Sequence, residues 1–155
     1  IGLYLFDRSR SPWRQLAFLP DVMQAKVDAV RGRLLFTRFS GDGLWSADLT
    51  LASASVRKVV EGVPRRWLYR NWSVARDGTI EYLDQAMDCR SRLRRLGESA
   101  SASSERCLHP SLLSSVAGFS SDPRTGAVYV ALAESDGTDI ALQRLEQVVS
   151  ARPDW

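Results

Sequence analysis

A glycine corner recurring at a near-constant interval constrains this chain more than any other feature. Arg31-Gly32, Asp77-Gly78 and Thr125-Gly126 each separate two short apolar runs, and their glycines lie 46 and 48 residues apart. The stretch "RNWSVARDGTIEYLDQ" (70–85) shows the form, with Trp72 to Val74 before the corner and Ile80 to Leu83 after it. Glycine supplies the positive φ that a tight hairpin requires, so the residue type repeats when the hairpin repeats. The runs after the three corners are "RLLFTRF" (33–39), "TIEYLDQ" (79–85) and "AVYVALAE" (127–134), short segments bounded by turn formers that read as strands.

A second series lies one strand further on. "GLYLFD" begins at Gly2, "GLWSADL" at Gly43, "SRLRRLG" at Ser91 and "DIALQRL" at Asp139, at spacings of 41, 48 and 48 residues. The first three lead through a polar corner into a fourth strand, at Trp13 to Leu19, Val56 to Val60 and Arg106 to Leu108. Four antiparallel strands repeating with a period in the forties are the pattern of a β-propeller blade. The fold class expected is therefore all-β, a β-propeller fragment of about three to four four-stranded antiparallel blades. The segments are a partial blade at 1–20, blades at 21–64 and 65–110, and a partial blade at 111–150.

Burial explains why such a unit repeats. One blade cannot cover its own two apolar faces, so blades stack, and Trp45, Trp67, Trp72, Tyr82 and Phe119 are expected between them. Six or seven blades need roughly 280 to 330 residues. The chain, which opens at Ile1 inside an apolar run, reads as a section of a longer protein and as about half of a propeller, with the remaining blades and any membrane anchor outside it; the alternative is a rare small ring in which the first and last partial blades combine. At the C-terminus, "DIALQRLEQVVSAR" fits either a strand or a terminal helix, and its alignment with the earlier repeats favours a strand to about Leu145. Ser99 to Ser104, "SASASS", reads as a mobile polar loop.

With 45% apolar and 25% charged residues and a formal charge of +3, the composition is that of an ordinary globular chain able to bury one core. The only basic cluster, Arg90 to Arg95, reads as a solvated strand face because no aromatic platform is interleaved with it; no nucleic-acid contact is expected. No apolar run reaches membrane-span length.

Catalytic patterns are missing. The sole histidine, His109, precedes Pro110 and has no G-x-S-x-G elbow to serve, so it reads as an exposed loop residue at the end of a strand. Gly41-Asp42-Gly43 reads as a hairpin turn, not a phosphate loop, and Asp136 and Asp139 as turn formers, not half of a calcium loop. Cys89, Cys107 and His109 lack the paired spacings of a structural zinc site, which leaves Cys89 and Cys107 as either one disulfide or two packed thiols. No cofactor or metal is expected. "RRWLYRNW" (65–72) reads as an inter-blade connection with Trp67 and Trp72 in the core. Its sharper reading is a binding-surface loop carrying Arg65, Arg66, Tyr69 and Arg70, since propellers bind through such loops.

"DGLWSADL", "NWSVARDGTIEYLD" and "FSSDPRTGAVYVALAESDGTDIALQRL" resemble the TolB-like, WD40-like propeller repeats at the C-terminus of CadC-type winged-helix transcriptional regulators. "SSDPRTGAVYVAL" is similar to the S-P-D-G blade signature but carries extra residues within it. The resemblance implies a non-catalytic sensory or protein-interaction module on the periplasmic face of the inner membrane, with an unassigned protein or small-ligand partner. Two other readings stand beside it: the propeller gate of a prolyl-oligopeptidase-like serine peptidase, and a TolB-like periplasmic scaffold.

Overall fold

The computed structural model describes residues 1–66, 70–96, 103–109, 114–122, 124–125, 127–134 and 140–144. Among these the chain is all-β, with thirteen strands and one 3-10 turn. Four antiparallel sheets follow one another along the sequence. β1 (Gly2–Asp7) and β2 (Arg14–Pro20) form the first, and β3 (Val22–Asp28), β4 (Arg33–Arg38), β5 (Leu44–Asp48) and β6 (Arg57–Val60) the second. β7 (Trp72–Val74), β8 (Ile80–Ala86), β9 (Cys89–Leu96) and β10 (Ser103–His109) form the third, and β11 (Ser114–Ser121), β12 (Val128–Glu134) and β13 (Ile140–Arg144) the fourth. Each strand pairs with its neighbour in sequence, because short turns leave no other antiparallel partner within reach. The chain divides into two compact units, Ile1–Arg65 and Arg66–Trp155.

Two of the three glycine corners work as their residue type demands; Gly126 lies outside the described residues. Gly78 has φ +83°, and its N–H donates to the Ala75 carbonyl at 3.0 Å while Ala75 N–H donates to Thr79 at 2.8 Å. This is a three-residue loop with glycine at the left-handed position. The Asp77 carboxylate accepts the Thr79 N–H at 2.9 Å, which accounts for an aspartate before the glycine. Gly32, at φ +59°, closes a longer corner, and there the Asp28 carboxylate accepts the Arg31 N–H at 3.3 Å.

In the first unit the first sheet lies face to face on the second. Leu19, Val22, Leu34, Phe36, Ala47 and Leu51 form the buried cluster, with Leu3, Leu5, Ala17, Ala25, Trp45 and Val56 packed against it. Strand alternation sends Leu35, Thr37, Leu44 and Ser46 to the opposite face of the second sheet, where they too are buried.

In the second unit β11 lies against β7 and β9. Trp72 and Tyr82, directly opposite on β7 and β8, are both buried, as expected of residues between sheets. Trp45 differs: it is half-buried, with the Arg38 guanidinium 3.9 Å and the Lys58 ammonium 5.1 Å from its ring centroid. Trp67 and the Phe119 side chain lie outside the described residues.

The C-terminal segment is the strand expected, over Ile140–Arg144 and paired with Tyr129 to Ala133. Two expectations change. β10 begins at Ser103, so the last two serines of "SASASS" belong to a strand and not to a loop. His109 is the final residue of β10, paired with Ser91, and not a loop residue. Asp136 and Asp139 lie outside the described residues.

Candidate functional site

The loop named from the sequence begins at the end of the second sheet where β4 turns into β5. Two acceptors and one cation hold that turn. Asp21, at φ +64°, takes the Phe39 N–H at 3.1 Å and the Ser40 N–H at 3.0 Å on one carboxylate oxygen, with the Ser40 hydroxyl on the other. From the other side Arg65 N–H donates to the Asp42 carboxylate at 2.8 Å, the Arg65 guanidinium donates to the Phe39 carbonyl, and Gly43 N–H donates to Val63 at 2.8 Å. Arg65 is therefore exposed but engaged in fixing the "SGDG" turn. Gly41-Asp42-Gly43 is the hairpin connection expected.

Arg66 and Arg70 belong to the second unit, and both are half-buried. The Arg70 guanidinium lies 5.7 Å from the Trp72 ring centroid, a cation on an aromatic face. Tyr69 lies outside the described residues, so only three of the four predicted residues are placed.

At the opposite end of the second sheet an open cavity of about 380 Å³ is lined by Arg31, Arg33, Ser46, Asp48, Ser55 and Arg57 among others. Its charges are organised by the corners. Asp28, fully buried, accepts the Arg33 guanidinium at 3.0 Å and that of Arg31 at 3.4 Å. Asp48 accepts the Thr50 hydroxyl at 2.7 Å and the Thr50 and Ala52 N–H groups at 3.1 Å, and these bonds, that of the Thr50 side chain foremost, hold its carboxyl below the ordinary carboxylate value. The Ser55 hydroxyl donates to the Ala52 carbonyl at 2.6 Å and accepts the Asp48 N–H at 3.0 Å. The Ser55 hydroxyl thus holds the turn between β5 and β6.

The arginines of the cluster that the structure describes are partly exposed and paired across strands. Asp84 on β8 receives Arg92 from β9 through two bonds of 2.8 and 3.1 Å and Arg94 at 3.4 Å. Both arginines lie 3.6 Å from Glu105 on β10. On the other face Arg95 donates to the buried Glu81 at 2.7 Å. Arg92, Arg94 and Arg95 are thus paired across strands. Tyr82 lies among these ions, and burial pushes its phenol above the ordinary value against the pull of Arg94.

The structure joins Cys89, at the start of β9, to Cys107, near the end of β10, by a disulfide with 5.7 Å between the Cα atoms. Cys89 is buried and Cys107 exposed, so the bridge pins an outer strand to the interior.

One feature escaped the sequence reading. Tyr4, Phe6, Trp13, Leu16 and Phe18 on the first sheet are 41 to 57% exposed and form one outward surface. Tyr4 and Phe18 have ring centroids 4.5 Å apart, Phe6 and Trp13 6.5 Å, and the Arg8 guanidinium sits 4.8 Å over Trp13. The alternation in "GLYLFD" and "LAFL" contains this surface, but it is visible as exposed only once the opposite face is known to be buried.

No family model, curated protein or solved structure matches the chain.

Proposed function

We propose that the chain is part of a β-propeller and serves as a non-catalytic sensory or protein-interaction module, the periplasmic portion of a membrane-anchored transcriptional regulator of the CadC type. The observation that carries the propeller reading is the face-to-face packing of the first two sheets, traced strand after strand along the chain, through Leu19, Leu34, Phe36 and Ala47. Equivalent strands recur between the sheets. β1 and β5 both begin next to a glycine and both end in an aspartate that accepts the N–H two residues on, Asp7 from Ser9 at 2.8 Å and Asp48 from Thr50 at 3.1 Å.

A module of this kind works by holding turns rigidly at the sheet ends, and the clamp of Asp21, Asp42 and Arg65 around the β4–β5 turn does so. The Cys89–Cys107 disulfide suits an oxidising compartment and supports the periplasmic reading. The regulatory role itself rests on the resemblance of "NWSVARDGTIEYLD" and "SSDPRTGAVYVAL" to the blades of that family.

The test is the reading frame on both sides of the chain, followed by a reporter assay of the intact protein. A winged helix and one apolar span of about 20 residues upstream, with reporter output altered by replacing the Arg65–Arg70 loop, is the expected outcome. A G-x-S-x-G hydrolase domain downstream would overturn the reading in favour of a peptidase gate. A signal peptide without a DNA-binding domain would favour a periplasmic scaffold.

A further inference from the structure

The cavity beside the β3–β4 corner is built on one patch of the second sheet. Arg33 and Asp48 stand directly opposite on β4 and β5, and Ser46, two residues before Asp48, stands opposite Arg57 on β6. Residues opposite one another, and residues two apart on one strand, share a sheet face. Arg33, Ser46, Asp48 and Arg57 therefore form one group at the end of the sheet, and all four line the cavity with Arg31 and Ser55. All six belong to the first unit.

The charged groups of this patch are unequally engaged. Arg33 reaches the buried Asp28 through Nε alone, at 3.0 Å, and its two terminal nitrogens have no partner among the described residues. With 16% of the side chain exposed, those donors are partly desolvated, the setting in which a charge-assisted hydrogen bond is strongest. Arg57 is exposed and enters no ion pair or side-chain hydrogen bond among the described residues. Asp48 takes three bonds from its own turn, all on Oδ1, and meets no cation within ion-pair distance among the described residues. Arg31, Arg33 and Arg57 against Asp28 and Asp48 leave one positive charge around the cavity.

These features select a ligand. A single net positive charge matches an anion of one charge, and a guanidinium with both terminal nitrogens unengaged matches the two oxygens of a carboxylate. The ionised Asp48, opposite Arg33, repels a second negative charge. At about 380 Å³ the cavity lies near the lower end of the volumes that hold small ligands, about 300–1,000 Å³. We propose that this cavity binds a small monocarboxylate on the terminal nitrogens of Arg33, with Arg57 as the second cation and Asp48 excluding dianions. The inference rests on the lining residues and not on the regulatory role, so a reading frame that refuted the latter would leave it standing.

The experiment titrates the isotope-labelled chain with propionate, with sulfate and, at matched ionic strength, with chloride, following the Arg33 Nε–H and the backbone amides of Arg33, Ser46 and Arg57 by NMR. Saturable shifts at these groups with propionate, weaker binding of sulfate and no such response to chloride are the expected result. Arg57→Gln, at an exposed position, is expected to weaken propionate binding about tenfold. Asp48→Asn, which keeps an acceptor for the turn, is expected to narrow the gap between propionate and sulfate. The absence of saturable shifts, the same shifts with chloride, or unchanged affinity in Arg57→Gln overturns the site. Sulfate bound as tightly as propionate by the parent chain overturns the ligand class, and an unaltered preference in Asp48→Asn overturns the part assigned to Asp48.

Discussion

Trp72 offers the sharpest test of how the second unit is packed. Its side chain is fully buried on β7 opposite Tyr82. A buried aromatic removes about 150–250 Å² from water, which at about 25 cal/mol per Å² is roughly 4–6 kcal/mol for a tryptophan. The β-carbon remains in Trp72→Ala and the site relaxes in part, so the expected cost is about 3–5 kcal/mol. Trp72→Phe is a different perturbation. The indole N–H is buried without a hydrogen-bond partner among the described residues, a penalty of about 1–3 kcal/mol already present in the native fold. Phenylalanine removes that penalty while losing about a third of the apolar area, so the two effects offset to within about 1 kcal/mol. Urea unfolding followed by far-UV circular dichroism measures both variants without relying on the fluorophore being removed. A cost below about 1 kcal/mol for Trp72→Ala would show that the residue is not in the core. Trp72→Phe as costly as Trp72→Ala would show that the indole N–H has a partner in solution.

Four other outcomes are expected. Asp28→Ala removes the buried acceptor of Arg31 and Arg33, whose side chains are 23% and 16% exposed; the cost falls between that of a surface pair and a fully buried one, about 2–3 kcal/mol by urea unfolding. The Asp48 carboxyl is held low in the fold, foremost by the Thr50 hydroxyl, so its contribution is complete above the ordinary value of 3.8 and is lost as pH falls through the folded value. An acid titration of Asp48→Asn should accordingly be flatter below about pH 4 than that of the parent. Reducing the Cys89–Cys107 bridge, whose ends are 18 residues apart, is expected to lower stability by about 3 kcal/mol with the gain of two hydrogens by mass; freely alkylatable thiols without reduction would refute the bridge. Gly78→Ala, at φ +83°, is expected to cost about 1–2 kcal/mol by thermal melt, whereas Gly41→Ala, with open space where the methyl would sit, changes little.

The aromatic surface and the guanidinium-lined cavity both follow from corners and edges, not from a dedicated cleft. The corner aspartates illustrate the economy of this design. Asp7, Asp48 and Asp122 all have carboxyls held low by hydrogen bonds from the turns they begin: the Ser9 N–H, the Thr50 hydroxyl and the Arg124 N–H are the largest influences in turn. The same residue type thus shapes successive hairpins, which is why the repeat is audible in sequence although most core positions differ.

What the sequence determined by itself is local. The period-two runs and the glycine corners locate β4, β8 and β12 within a residue or two of their observed bounds, because a strand and a tight hairpin are decided by neighbouring side chains and by φ at one residue. The order of strands within each sheet follows, since short connections allow only adjacent antiparallel pairing. The strand at Ile140–Arg144 was legible through its alignment with Gly43 and Ser91. The tertiary structure decided whatever depends on which residues face each other across strands or sheets. The partners of Arg92, Arg94 and Arg95 are fixed only when the register sets Asp84 and Glu81 opposite them. The contacts of Arg65 with the Phe39 carbonyl and Asp42 exist only because the fold brings a distant turn to it. Tyr4, Phe6 and Phe18 show the same alternation as any core strand, and they stand exposed because Leu3, Leu5 and Leu19 have taken the face that meets the second sheet. Alternation says that a strand has two faces; only the neighbouring sheet says which of them is buried.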